Sequence, residues 1–260
     1  INSLVGRQIA SYFDGAIAWL NYADRLYQLP LGVIGIALGS VLLPKLSEKK
    51  LLDNPNKMNE VLNECLKIAA ILTIPATAAL IIISLPLISV LFERGAFSNI
   101  DSQFTAKALV IYAVGLPAYV LHKIFTPIFF SRGDTTNPFI IAVISMLSNV
   151  AIAVSLIKYF GYLSPVISTT ISSWLMAILL FQKSRTLGVR ISVTLLNPCI
   201  KIFIASSVLS LILIYASFEW LQILISGDLR GFYLFLLILF SSSTYFLTLW
   251  ILGFFKQTSS

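Results

Sequence analysis

The sequence predicts an all-α protein, a polytopic bundle of helices that cross a membrane. Hydrophobic residues make up 58% of its 260 positions and charged residues 11%, where a soluble domain carries about 25% charged residues. Mean hydropathy is +0.91. Apolar stretches of roughly 20 residues, enough at 1.5 Å per residue to cross about 30 Å of hydrocarbon, recur along the whole length. Runs such as IAAILTIPATAALIIISLPLISVLF (68–92) lack the period-two alternation of a membrane barrel.

Seven spans follow in order: 15–46, 67–91, 105–130, 138–158, 163–182, 200–218 and 231–254. The opening INSLVGRQIASYF has neither an initiator Met nor a signal peptide, so residues 1–14 read as the end of a truncated helix and a loop. Residues 15–183 form the main bundle, 184–199 a basic loop, and 200–260 the last two spans with a tail. Between the first two spans, SEKKLLDNPNKMNEVLNECLK (47–67) is polar, with Leu62, Cys65 and Leu66 at helical spacing, and reads as an interfacial lead-in. SRGDTTNP (131–138) is a turn in which Asp134 or Thr136 caps the next helix and Pro138 falls in its first turn.

Basic residues in the connections set orientation. One side holds Lys45, Lys49, Lys50, Lys57, Arg132, Lys183, Arg185 and Arg190, with Lys201 and Lys256 at helix ends; the other holds Arg94, Lys107, Lys158 and Arg230. The richer side is read as cytoplasmic. The net charge of +7 comes largely from this excess. Its basic residues are spread over several loops without interleaved aromatics, which argues for topology and anionic-lipid contact and against nucleic acid. Cys65 and Cys199 lie far apart on the thiol-reducing side, so neither a disulfide nor a metal site is expected. No zinc spacing, phosphate-binding glycine loop or convergent acid, base and nucleophile set occurs, so neither an enzyme nor a cofactor is expected. The single histidine, His122, reads as a satisfied or cavity-facing helix residue.

The stretch NYADRLYQLPLGVIGIALGSVLLPKLS (21–47) sets Asp24 and Arg25 into an apolar run. Asn21, Arg25, Gln28, Gly32, Gly35 and Gly39 are spaced by 4, 3, 4, 3 and 4, which places them on one helix face. The glycines allow a neighbouring helix to approach closely. Pro30 cannot donate to the carbonyl of Leu26, so a bend or hinge is expected there. A charged side chain in the membrane costs about 2.5–3.5 kcal/mol or more, and such residues face a bundle interior or a wet cavity. Either Asp24 and Arg25 pair with neighbouring helices, or Arg25 snorkels to the interface, or Arg25 lines a cavity and receives an anionic group, its guanidinium gripping phosphate bidentately. In the last reading Asp24 orients a partner helix or balances charge, and Gln28 adds neutral hydrogen bonds. Lys123, between Pro117 and Pro127, either adds positive potential or snorkels. Asn149 reads as an interhelix hydrogen bonder, and Arg132 as a possible gate.

At NYADRLYQLPLGVIGIALGSVLLPKLS, and again at LFERGAFS (91–98) and PIFFSRGDTTNP (127–138), the chain resembles the MurJ (MviN) lipid II flippases of the multidrug/oligosaccharidyl-lipid/polysaccharide exporter superfamily. The resemblance is strong over 1–47, moderate to about 183 and weak over 200–260. It implies the C-terminal half of a fourteen-helix flippase-type transporter: two lobes of six helices around a central cavity, then a last pair forming a lipid-facing groove. The N-terminal lobe would be missing from this chain. It further implies movement of lipid II, the undecaprenyl-diphosphate-linked peptidoglycan precursor, from the cytoplasmic to the periplasmic leaflet of a bacterial inner membrane. This would occur by alternating access and without ATP hydrolysis by the protein itself.

Carried over by position, Arg25 matches a cavity arginine thought to meet the diphosphate, and Asp24 its acidic neighbour. Gln28 stands where some members have a glutamate. Some relatives bind sodium through the helix containing Asn149 and the next, but Ala153, one turn on, is no carboxylate, so a sodium site is not expected. The apolar faces of FYLFLLILFSSSTYFLTLW (232–250) hold either the polyprenyl tail or ordinary lipid. Coupling to an ion or to the membrane potential is not visible in the sequence. Two other readings stay open: a drug or polysaccharide exporter of the same superfamily, and an inactive half-transporter or membrane scaffold.

Overall fold

The computed structural model describes residues 2–46, 55–219 and 229–255. These residues are helical apart from short turns, and there is no strand among them. In chain order the α-helices are α1 (Asn2–Ala10), α2 (Ala16–Leu46), α3 (Pro55–Ile82), α4 (Ser84–Phe92), α5 (Asn99–Ser131), α6 (Thr136–Phe160), α7 (Ser164–Arg185), α8 (Leu196–Glu219) and α9 (Arg230–Ile251). The protein is a multi-pass membrane bundle. Five stretches among the described residues are long and apolar enough to cross a bilayer, and one of them, Thr136–Arg185, folds back at Gly161 into α6 and α7.

Helix α5 is the hub. It packs against α2, α3, α4 and α7, and half of its apolar window is buried, against 22–33% in the other spans. Small residues make this possible: Ala106, Ala108, Ala113 and Ala118 are buried along it. At Gly115 an added Cβ would stand 3.2 Å from the Tyr119 ring and 3.3 Å from Thr170 Oγ1, so α5 and α7 meet closely there. The start of α5 carries a capping box: Asp101 N donates to Ser98 Oγ at 3.3 Å and Ser98 N to Asp101 Oδ2 at 2.7 Å. Trp19 Nε1 donates to the other oxygen of Asp101 at 2.7 Å, which fastens the start of α2 to the start of α5.

Helices α6 and α7 form an antiparallel hairpin held by polar side chains. Ser145 Oγ donates to Ser172 O at 2.8 Å, Asn149 Nδ2 donates to Thr169 Oγ1 and Ser172 Oγ at 3.2 and 3.0 Å, and Ser164 Oγ donates to Ala153 O. In a lipid environment these groups have no water to turn to, so they bind one another. Asn149 is thus an interhelix hydrogen bonder, as its type and setting predict. Helices α8 and α9 pack against each other and against α3 and α4, around buried Ile202, Leu209, Leu213, Leu237 and Leu249.

The basic residues sort to two ends. At one, Arg132 Nη1 donates to Leu187 O at 2.8 Å, Arg190 N to Asn59 Oδ1 at 2.9 Å and Ser192 N to Asn63 Oδ1 at 3.1 Å. At the other, Arg230 Nη2 donates to Glu93 O at 3.0 Å, and Lys107 lies 5.6 Å from the centre of the Phe104 ring. Lys49, Lys50 and Lys256, and the side chain of Lys45, lie outside the described residues.

Two local expectations change, while the bend expected at Pro30 leaves its helix continuous. The span read as 67–91 is broken at Ile83, where φ and ψ of −101° and 21° separate α3 from α4; Pro86 cannot donate a backbone hydrogen bond across this joint. The lead-in read over 47–67 is, from Pro55, the first part of α3 itself, with Met58, Val61, Leu62 and Cys65 buried in the core.

Candidate functional site

The site is built on α2. Its inward residues Leu20, Ala23, Leu26, Tyr27, Ile34 and Leu38 are buried. On another side Asn21, Arg25, Gln28 and Gly32 are exposed, together with the apolar Leu29, Val33 and Ile36. The guanidinium of Arg25 has no hydrogen-bond or ion-pair partner among the described residues. An arginine cannot shed its charge at any relevant pH, so its exposed guanidinium either meets an anion or extends to the membrane interface.

Asp24 does not neutralise it. Its Oδ2 accepts a hydrogen bond from Gln28 Nε2 at 2.5 Å, one turn along the same helix. Asp24 instead lines a cleft of about 230 Å³ with Arg7, Asn21, Tyr27, Tyr112, Tyr119 and Thr169 among its walls. Tyr27 stacks on Tyr112 at 5.0 Å and tilts against Tyr119 at 5.5 Å. Arg7 is a residue that sequence reasoning missed, because residues 1–14 were set aside as the end of a helix. The available signal was an arginine one turn before the apolar Ala10, which is buried.

Lys123 reaches the glycine face of α2. A Cβ built on Gly35 would stand 2.5 Å from Lys123 Nζ and 3.4 Å from its Cδ, so the lysine lies across the glycine. Gly35 is ten residues from Arg25 on the same face, about 15 Å along the axis. The structure therefore brings two cations, from α2 and α5, onto one side of one helix. At Gly32 nothing approaches within 4 Å. Gly39 lies on the same helix.

The remaining candidates lie elsewhere. Arg132 is at the basic end, engaged with Leu187 O. His122 shares a 2.7 Å hydrogen bond with Ser173 O, so it is a satisfied helix residue. Asp134 accepts from the backbone N–H of Asn137 at 3.0 Å and from its side-chain amide at 2.5 Å, which holds the carboxyl below its usual pKa and caps α6. Neither Cys65 nor Cys199 is in a disulfide, and no cluster of metal-binding side chains occurs among the described residues.

Comparison with known proteins gives a consistent answer. The family described as lipid II flippase MurJ matches residues 1–241. A probable lipid II flippase MurJ of Rhizobium meliloti (strain 1021) is 39% identical over 231 residues, covering 87% of this chain and 42% of the relative. Its counterpart in Rhizobium tropici is 34% identical over 257 residues, covering 97% of this chain and 48% of the relative. A solved structure titled "Lipid II flippase MurJ, inward closed conformation" superposes with a TM-score of 0.79 at 26% identity, over 100% of this chain and 52% of the other. The chain thus spans about half the length of the proteins it matches. The fold, the order of helices and the match over residues 1–241 together show that the chain belongs to the lipid II flippase MurJ family.

Proposed function

We propose that this chain forms one wall of a flippase that carries lipid II from the cytoplasmic to the periplasmic leaflet of a bacterial inner membrane by alternating access. The observation that carries the reading is the unpartnered Arg25 on an exposed face of a membrane helix, with Lys123 laid across Gly35 on the same side. Two cations on a helix face would draw in a diphosphate, and the fork of Arg25 would hold it. Gln28 keeps Asp24 engaged, so the arginine is free for the anion. The facing wall belongs to the half of the relatives' length that this chain does not span. In this reading Pro30 and the open space at Gly32 let the two walls shift, and Arg132 is the gate at the basic end. The driving force is an ion gradient or the membrane potential, worth about 2.3 kcal/mol per charge per 100 mV.

The test is lipid II exposure on the outer face of the inner membrane, in cells depleted of their own flippase and supplied with the protein. Exposure should be restored by the wild type and lost with Arg25→Ala, while membrane insertion is unchanged. No restoration by a stably inserted wild type would favour a general exporter or an inactive half-transporter.

A further inference from the structure

At the end of the bundle that carries Arg94 and Arg230, a cleft of about 460 Å³ opens between the start of α2, the end of α4 and the start of α5. Its walls include Trp19, Tyr22, Phe92, Arg94, Phe97 and Asp101. The ring of Tyr22 lies 4.6 Å from that of Phe92 and 5.2 Å from that of Phe97, yet Tyr22 stays 38% exposed. The three rings make one aromatic wall, and part of it is uncovered.

Two polar groups in the same cleft have bonding capacity to spare. Arg94 is exposed, and its guanidinium has one partner among the described residues, Leu91 O at 2.9 Å, so the rest of its fork of donors is free. The carboxylate of Asp101 accepts from Trp19 Nε1 on Oδ1 and from Ser98 N and Oγ on Oδ2, which leaves Oδ1 a further lone pair. Tryptophan and tyrosine also anchor helices at a membrane surface, but such anchors face lipid and need no guanidinium and carboxylate beside them. Aromatic faces next to a forked donor and an acceptor suit a pyranose. Its C–H face packs against the electron-rich face of a ring, while its hydroxyls both donate and accept. The cleft also adjoins the Arg25 face. Ala18, which lines it, Tyr22 and Arg25 are spaced by 4 and 3 along α2, so they share one side of the helix. Tyr22 precedes Arg25 by about 4.5 Å along the axis.

We propose that this cleft receives the sugar next to the diphosphate of a lipid-linked saccharide. A pyranose face packs on Tyr22, its oxygens accept from Arg94, and one hydroxyl donates to Asp101, while the diphosphate stays at Arg25. The site rests on the flippase reading and deepens it, because the headgroup is then recognised by its saccharide as well as by its charge. In that reading the cleft lies at the periplasmic end, where the headgroup leaves.

The test compares equilibrium binding of lipid II with that of undecaprenyl diphosphate, which has no sugar, on the purified protein in phosphatidylcholine nanodiscs. Lipid II should bind about tenfold more tightly, the gain from one stacked ring and its hydrogen bonds. Tyr22→Ala and Arg94→Gln should each remove most of that preference, and Tyr22→Phe, which keeps the ring, should retain it. Equal binding of the two lipids by the wild type overturns the sugar site and leaves the diphosphate reading standing. A preference that survives both Tyr22→Ala and Arg94→Gln overturns it as well. So does an equal loss of affinity for both lipids in these variants, the mark of a merely structural wall. No binding of either lipid by the folded wild type overturns the flippase reading and the site together. Arg94 is exposed and bonded to a single carbonyl, so Arg94→Gln decides the matter if Tyr22→Ala fails to fold.

Discussion

Gln28 donates to Asp24 at 2.5 Å across one helical turn, and Arg25, the next residue after Asp24, is left without a partner. Adjacent opposite charges on a helix point about 100° apart, so sequence neighbours need not neutralise each other. In the proposed function this arginine is the one that meets the anion.

Arg25→Lys therefore tests geometry rather than charge. An ammonium keeps the attraction and loses the two-pronged grip. Lipid II exposure in depleted cells should fall well below wild type with normal protein levels. Full activity would show that the residue acts as a point charge only.

Gly35→Ala places a methyl group where Lys123 Nζ now lies. The clash is with the free end of a flexible side chain, so thermal stability should change little while transport falls. Because both changes act through the same ammonium group, Gly35→Ala combined with Lys123→Ala should be no worse than Lys123→Ala alone. Additive losses would separate the two residues.

Gly115→Leu should act on stability instead. Its Cβ alone would stand 3.2 Å from the Tyr119 ring on the same helix and 3.3 Å from Thr170 Oγ1 on α7, so the larger side chain should cost about 1–3 kcal/mol from overpacking. Thermal unfolding in detergent measures it, and an unchanged midpoint would refute the tight α5–α7 approach.

Asn149→Leu removes the donor to Thr169 and Ser172. The loss should be about 0.6–1.7 kcal/mol, the range found for hydrogen bonds between membrane helices. The same unfolding measurement applies.

Asp134 gives a pH dependence. Its folded pKa is depressed by the Asn137 donors, so its capping contribution is present above the unfolded carboxylate value of about 3.9 and is lost as pH falls through the lower folded value. The protection of the Asn137 amide from hydrogen exchange, taken relative to the intrinsic rate at each pH, should fall at acid pH, and Asp134→Ala should give the same loss of protection at neutral pH.

The spans were legible because lipid demands long apolar runs, and the polar residue inside one of them, Asn149, was legible because such a group must find a partner. The break at Ile83 was not, since Pro86 is compatible with either a kink or a fresh start. The glycine face of α2 could be read from spacing, but its occupant could not: that Lys123 rather than a helix backbone lies at Gly35 depends on how α5 packs, 88 positions away in the chain. Arg7 was lost for the same reason, because its cleft is assembled from four helices.

The bond from Trp19 to Asp101 has a mechanical consequence. It pins α2 to α5 near one end, and their long shared interface continues to Gly35 and Lys123. Arg25 and Gly35 are about 15 Å apart along the axis of α2, so in the proposed cycle a pair of helices joined at Trp19 and again at Gly35 would tilt as one lever. If Arg25 holds the anion as proposed, Lys123 would stay on the same side of α2 throughout the stroke, a constant electrostatic address while the surroundings change from one side of the membrane to the other.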